Sequence, residues 1–406
     1  MLPPDMPLVS AAFVGSLGLK SLPSKNAVAE NLRFAASTTF EGLTAVRPYW
    51  RELEERSANS NQIFQGHDWC FTWADCATRA RYSFSPYVVA AYEANRLVLL
   101  WPLMIVRKNG MRILRWLSEP WAQYGDVLVS PDHDASLLMR LAVRHIRKDR
   151  VADVMWLRHV RDDAACHDFL TNAFWSAGYR DGAPYMDLTK YADEREYLAR
   201  YSGKRRRHLK KARSKLEASG PLGFEINKDA SSFRKIVTDV LCQKRLWLNE
   251  RGLHSEPIAS AWLEDFLIQL ASRSGGLNLV TSATTAGSRA VAYEIGLRYR
   301  DRHCNYITAH DVSLTDFSPA RLHMEQSQCQ AIKDRVKVYD LMVPLDRHKE
   351  GWISGHVAVS DYWLPLSLAG QVSGRLYFSL ARPLARKAYH KAPPRLRRLM
   401  KNLIGG

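Results

Sequence analysis

Three strand-like runs follow one another between Leu277 and Ala309 with almost nothing between them. Leu277 to Ala283, Arg289 to Tyr299 and Arg302 to Ala309 are separated by turns carrying Ala286-Gly287 and Arg300-Asp301, too short for a crossover helix. The segment therefore has to form an antiparallel meander. A helical pattern from Pro319 to Arg335 and a further strand from Val336 to Leu341 follow it. A meander, a helix and a returning strand make an α/β unit with helices covering a mixed, largely antiparallel sheet.

The first half follows the same order without repeating its residues. Helical spacing at Val46 to Ala58 and His67 to Arg81 precedes strand-like runs at Tyr87 to Tyr92, Arg96 to Val106, Met111 to Leu117 and Asp126 to Val129. Asn109-Gly110 marks a hairpin between two of them. Asp134 to Lys148 and Ala164 to Ala177 read as helices, Asp153 to His159 and Tyr185 to Leu188 as strands. Further helices are expected at Glu194 to Ser219, Ser231 to Arg251 and Ile258 to Arg273, with a strand at Phe224 to Asn227. This organisation predicts a loosely ordered leader over 1–32, one α/β unit over 33–189, a second over 190–358, and a basic amphipathic tail over 359–406.

The net charge of +17 is confined to two stretches. Eight cations and no carboxylate lie between Lys204 and Lys215, and nine cations without a carboxylate run from Arg375 to the end. Together they account for the whole excess, so the rest of the chain is balanced. The first stretch, with cations all round, has no evident apolar face over its middle turns. It reads as a solvated helix, as an anion-binding rim for CoA phosphates or an acidic sugar chain, or as a nucleic-acid contact. The second mixes its cations with Leu376, Tyr377, Phe378, Leu380 and Leu384, which suits either packing against the protein or peripheral attachment to an anionic membrane. The six cysteines show neither Cys-x-x-Cys spacing nor zinc-ligand His pairs, so buried thiols in a cytoplasmic protein are expected, with no metal. The opening residues carry Asp5 and no cation before their apolar run, which argues against a secretory signal.

The chemical candidate is Ser318-Pro319-Ala320-Arg321. Proline is pre-organised for the first helical position, the serine before it is suited to capping, and the free amides of the first turn favour an anion such as a pyrophosphate. Arg321 adds a charge beside it. The same residues also make a good helix start with no ligand at all.

Ala292-Tyr293-Glu294, Ser318-Pro319-Ala320-Arg321-Leu322, Tyr339-Asp340-Leu341 and His348-Lys349 followed by Trp352 resemble the motifs of the CelD-like branch of the GNAT acyltransferase superfamily. The basic helix from Tyr201 to Leu216 resembles that branch's Lys/Arg-rich helix. Ala320 stands where the branch has glycine, His348 where it has tyrosine, and Pro344 interrupts a stretch where glycine is common. The resemblance covers residues 190 to 355 and extends to the first half only in layout. It implies two GNAT-like units in a FemAB-like tandem. It also implies acetyl-CoA or another acyl-CoA as co-substrate, held by Ser318, Pro319, Ala320 and Arg321.

Acyl transfer then needs a base, an acid for the departing thiolate and a hold on the acceptor. By strand alternation Glu294 shares a face with Ala292, Gly296 and Arg298, and Tyr306 with Cys304, Thr308 and His310. Glu294 or His310 is the candidate base, Tyr306 the acid, and Asp340 the group that orients the acceptor. Lys349, Trp352 and Arg205 are candidates for substrate or phosphate contact. Each has a plain alternative: a paired Glu294, a core Tyr306, a His310 in a surface turn, a Lys349 that is only a surface cation. The acceptor implied by resemblance is an amine or hydroxyl of a sugar nucleotide, lipid-linked sugar or bacterial envelope or exopolysaccharide precursor, reached at the inner face of the membrane. Two alternatives remain: a FemAB-type aminoacyl transferase using charged tRNA, and a non-catalytic factor in polysaccharide assembly.

Overall fold

The computed structural model describes residues 32–227, 230–273 and 275–391. The first half consists of β1 (Leu32–Ser37), α1 (Phe40–Ser57), α2 (His67–Arg79), β2 (Ser85–Glu93), β3 (Arg96–Lys108), β4 (Met111–Trp116), β5 (Leu128–Val129), α3 (Ala135–Asp149), β6 (Val154–Arg161), α4 (His167–Ala173) and β7 (Trp175–Asp187). The second begins with α5 (Glu194–Ala199), α6 (Gly203–Glu217), β8 (Leu222–Asn227), α7 (Ala230–Glu250), α8 (Glu256–Ala259) and α9 (Leu263–Ala271). The meander β9 (Leu277–Ala286), β10 (Arg289–Tyr299) and β11 (Arg302–His310) follows, then α10 (Pro319–Lys333), β12 (Val338–Asp340), β13 (Gly355–Pro365), α11 (Leu368–Leu376) and α12 (Arg382–Lys391).

All these strands join one sheet in the order β1-β2-β3-β4-β6-β13-β7-β12-β11-β10-β9-β8, with β5 beside β3. From either end the order is the same: four antiparallel strands, a parallel join (β4 to β6, β11 to β12), then the central pair β13 and β7. β7 follows β6 in the chain but pairs with β12, and β13 follows β12 but pairs with β6. The two halves have exchanged a strand.

That exchange alters the expected boundaries. β13 runs through the break placed at 358, so the tail expected from 359 starts as a strand of the central sheet. The helix expected from Ala164 to Ala177 stops at Ala173, and Trp175 opens a strand that continues to Asp187. Its Gly- and Pro-containing sequence has little strand propensity, but pairing with β13 on one side and β12 on the other supplies the hydrogen bonds.

The core follows from the aromatic content. In α1, Thr39 caps the first turn and Leu43, Val46, Trp50 and Leu53 recur on one buried face. They meet Trp69 and Trp73 of α2, together with Val237, Val240 and Leu241 of α7 and Phe266 and Leu267 of α9, in one cluster drawn from both halves. Trp121 stacks on Trp262 across that junction at 4.0 Å between ring centroids. A second cluster lies under α3, from β2, β3 and β6. Cys70, Cys76, Cys166 and Cys304 are buried free thiols, whereas Cys242 is exposed and Cys329 half-buried.

Candidate active site

β11 and β12 are paired only over Arg302–Val338, His303–Tyr339 and Cys304–Asp340. β12 ends there and β11 runs on to His310, so the two parallel strands part and β11 has no paired strand on that side from Asn305 to His310. β11 also bulges. Gly296 faces Asn305 and Ile295 faces Ile307, which leaves Tyr306 as the extra residue. The bulge shifts the alternation expected for this strand: Thr308 lies opposite Glu294 and His310 opposite Ala292, so Tyr306 does not share their face.

The helix that opens beside this unpaired stretch is α10. Ser318 adopts left-handed backbone angles and its side chain makes no cap hydrogen bond, contrary to the capping role expected of it. Pro319 is buried, while Ala320 and Arg321 are exposed at the first turn. The amide of Arg321 bonds back to the Ser318 carbonyl at 3.1 Å, and that of Ala320 has no intrahelical acceptor. Because Ala320 is exposed, its methyl does not close the turn. The corresponding helix of the first half, α3, is different: the Asp134 carboxylate accepts from the amides of Ser136 (2.9 Å) and Leu137 (3.1 Å), placing an anion of the chain's own at that terminus. Only the second half offers an uncapped N-terminus at this point of the unit.

The Arg321 guanidinium lies 3.3 Å from His208 Nε2 of α6. Lys349 donates to the carbonyls of Met342 (2.9 Å) and Pro344 (2.8 Å), fixing the loop that leaves β12, so it is neither a free surface cation nor a free substrate contact. Lys244 of α7 makes no hydrogen bond or ion pair among the described residues, and its ammonium lies 4.9 Å from the Trp247 ring. Burial, reinforced by the charge of Lys349, pushes Lys244 down to about 8. Burial also lowers His310 below the ordinary imidazole range, with Arg251 and Lys244 adding to the effect, so it is neutral near pH 7. Sequence reading missed Lys244, whose only signal was a lysine beside helical apolar spacing.

The other expected residues separate into structural roles. Glu294 is 1% exposed beneath α10, with His303 Nε2 at 2.5 Å, and accepts from Tyr339 Oη (2.7 Å) and Ser327 Oγ (2.9 Å). Burial alone would raise its carboxyl, but hydrogen bonds from His303 and His323 hold it well below the usual range. It is an ionised anchor between sheet and helix, not an available base. Asp340 is fully buried and accepts from Tyr124 Oη and Arg302 (both 2.8 Å) and Arg161 (3.4 Å), which makes it a tie between the halves instead of an acceptor contact. Arg205 is sandwiched between Tyr201 (4.0 Å) and Trp352 (3.7 Å) and donates to the Gly351 carbonyl. Arg205 and the buried Trp352 therefore support each other, and neither is presented to a substrate. Tyr306 donates to the Trp121 carbonyl at 3.1 Å, and burial raises its hydroxyl so that it stays protonated.

The basic helix α6 buries Leu209, Ala212 and Leu216 and ties to α10 through Arg213 and Glu325 (3.1 Å), so it does have an apolar face. Lys204, Arg206, Arg207, Lys210, Lys211 and Lys215 remain exposed beside the site.

Residues 203–350 match the family described as an acetyltransferase (GNAT) domain. The second half of the chain carries a GNAT-type acyltransferase domain. The parted strands and open helix terminus lie within this GNAT domain. No curated protein matches the chain in sequence. The crystal structure of FemX is 10% identical, with a TM-score of 0.55 over 85% of this chain and 100% of that one. A conserved protein of unknown function from Bacteroides thetaiotaomicron VPI-5482 is 10% identical, with a TM-score of 0.50 over 82% of this chain and 100% of that one. These likenesses are of fold, and they span both halves.

Proposed function

We propose that the protein transfers an acyl group, most simply acetyl, from an acyl-CoA to an amine or hydroxyl. The donor diphosphate would rest on the first turn of α10 with Ser318, Pro319, Ala320 and Arg321, and the thioester would enter between β11 and β12. The observation that carries this reading is the parting of those two strands after Cys304 and Asp340, beside a helix terminus that no side chain caps. His310, neutral near pH 7, suits a base, whereas Tyr306, on the other face of β11 and bonded to the Trp121 carbonyl, is not used as the acid. Membership of the CelD-like branch, and with it a sugar or envelope precursor as acceptor on the cytoplasmic face of the membrane, rests on the sequence resemblance.

A second reading takes aminoacyl-tRNA as donor. It is favoured by the six exposed cations of α6 and by the whole-length fold likeness to FemX. Free thiol release from acetyl-CoA on addition of an amino-sugar nucleotide, above the rate without acceptor, is the outcome expected of the first. No affinity for CoA, with tRNA binding that falls steeply with salt, would establish the second.

Lys244 gives the donor site a pH signature. With its free value about 8, an anionic donor stabilises the protonated form and raises that value on binding. Affinity for acetyl-CoA is therefore full below that free value and declines as pH rises above it, as proton linkage to a single group requires. Lys244→Met should bind more weakly near neutral pH and lose this decline, which in the parent spans roughly pH 7.5 to 9.5. A decline of equal size in the variant would remove Lys244 from the site.

A further inference from the structure

The C-terminal helices lie on the sheet through small residues. A Cβ on Gly370 would fall 1.8 Å from the Asp153 carbonyl oxygen, and one on Gly374 would fall 2.4 Å from the Trp363 ring, so only glycine fits at either position. One step further along, Phe378 stacks on Trp363 at 4.8 Å, and Arg382 is buried with a 2.9 Å bond to Asp361. These contacts recur every fourth residue. Two positions away, about 200° around a helix, another series recurs every fourth residue and faces the other way. It consists of Leu368, Val372, Leu376, Leu380 and Leu384, exposed by between 56% and 78%.

Those five are most of the eight large apolar side chains exposed in the described part of the chain, so the exposure is concentrated on one element. A regular α-helix would rotate such a series by about 40° per step. The wider π-turn at Tyr377–Ala381, between α11 and α12, opposes that drift and keeps the series on one side. Trp175, 40% exposed, lies at the same surface under Arg375, 5.1 Å from its ring. After Asp361 the sequence has nine Lys and Arg and no Asp or Glu. Of these cations Arg382 is neutralised by Asp361.

We infer that α11–α12 is an interfacial helix that docks on an anionic bilayer. Its aliphatic series enters the boundary between headgroups and acyl chains, and its cations meet the lipid phosphates. Charge selects this occupant over a second copy of the chain, because self-association would bring two acid-free cationic segments face to face. The inference does not depend on the acyl-transfer reading. It narrows a contact expected of the whole 359–406 tail to one helix face.

Flotation of the full-length protein with vesicles of phosphatidylcholine, with and without phosphatidylglycerol, tests it. The protein should float with the phosphatidylglycerol vesicles, less so as salt rises. Leu376→Gln/Leu380→Gln should lower partitioning about tenfold while leaving the melting temperature unchanged, since both side chains are exposed. Arg375→Gln/Lys387→Gln should weaken binding to the anionic vesicles only. Absence of flotation, equal partitioning of the parent and the leucine variant, or a dimer that the leucine variant dissolves without any vesicle binding would each overturn the inference.

Discussion

Replacing Asp340 by alanine is expected to destabilise the protein by about 3–5 kcal/mol, the loss typical of breaking a buried ion network from one side. The carboxylate is fully buried and serves four donors at once: Tyr124 and Arg302, Arg161, and the Met342 amide at 2.8 Å. Tyr124 and Arg161 come from the first half of the chain, Arg302 from the second. Without the carboxylate Arg302 loses its acid, whereas Arg161 keeps Asp163 at 2.8 Å. The damage should thus fall on the junction that the exchanged strands create. Denaturant unfolding measures it, and Asp340→Asn, which keeps an oxygen for Tyr124 but not the charge, should lie between parent and alanine. If Asp340 instead oriented an acceptor, Asp340→Asn would abolish transfer at unchanged stability, and a loss below about 1 kcal/mol in the alanine variant would contradict the tie.

What could be read from the sequence was what depends on neighbours along the chain. The meander followed from turns too short to hold anything else, and the start of α10 followed from a proline fit for the first helical position. What escaped depends on residues far apart. The segment from Trp175 to Pro184 becomes a strand because β13 pairs along it, and β13 itself lay across an expected boundary. The bulge at Tyr306 is one residue long, yet it moves Thr308 and His310 off the face predicted by simple alternation. Leu209, Ala212 and Leu216 give α6 an apolar stripe that the density of cations concealed. The placement of Glu294 is the most instructive case. As the only carboxylate on its strand it resembled a base, but β11, β12 and α10 supply it with two histidines, a tyrosine and a serine, which no local pattern announces.

Ala320→Asp should close the donor site with little effect on the fold. Ala320 is exposed in the first turn of α10, where a carboxylate is favourable by about 0.3–1 kcal/mol. The same carboxylate would take the amides and oppose a diphosphate, as Asp134 does at α3. At a few ångströms and an effective dielectric constant near 20 that opposition is about 3 kcal/mol, or roughly 100-fold in affinity. The decisive measurement is calorimetric titration of acetyl-CoA into the parent and Ala320→Asp, with their melting temperatures alongside. Binding by the parent and a loss of about 100-fold in a variant that melts no lower are expected. Equal affinity in the two, or no heat of binding in the parent, would contradict the donor site.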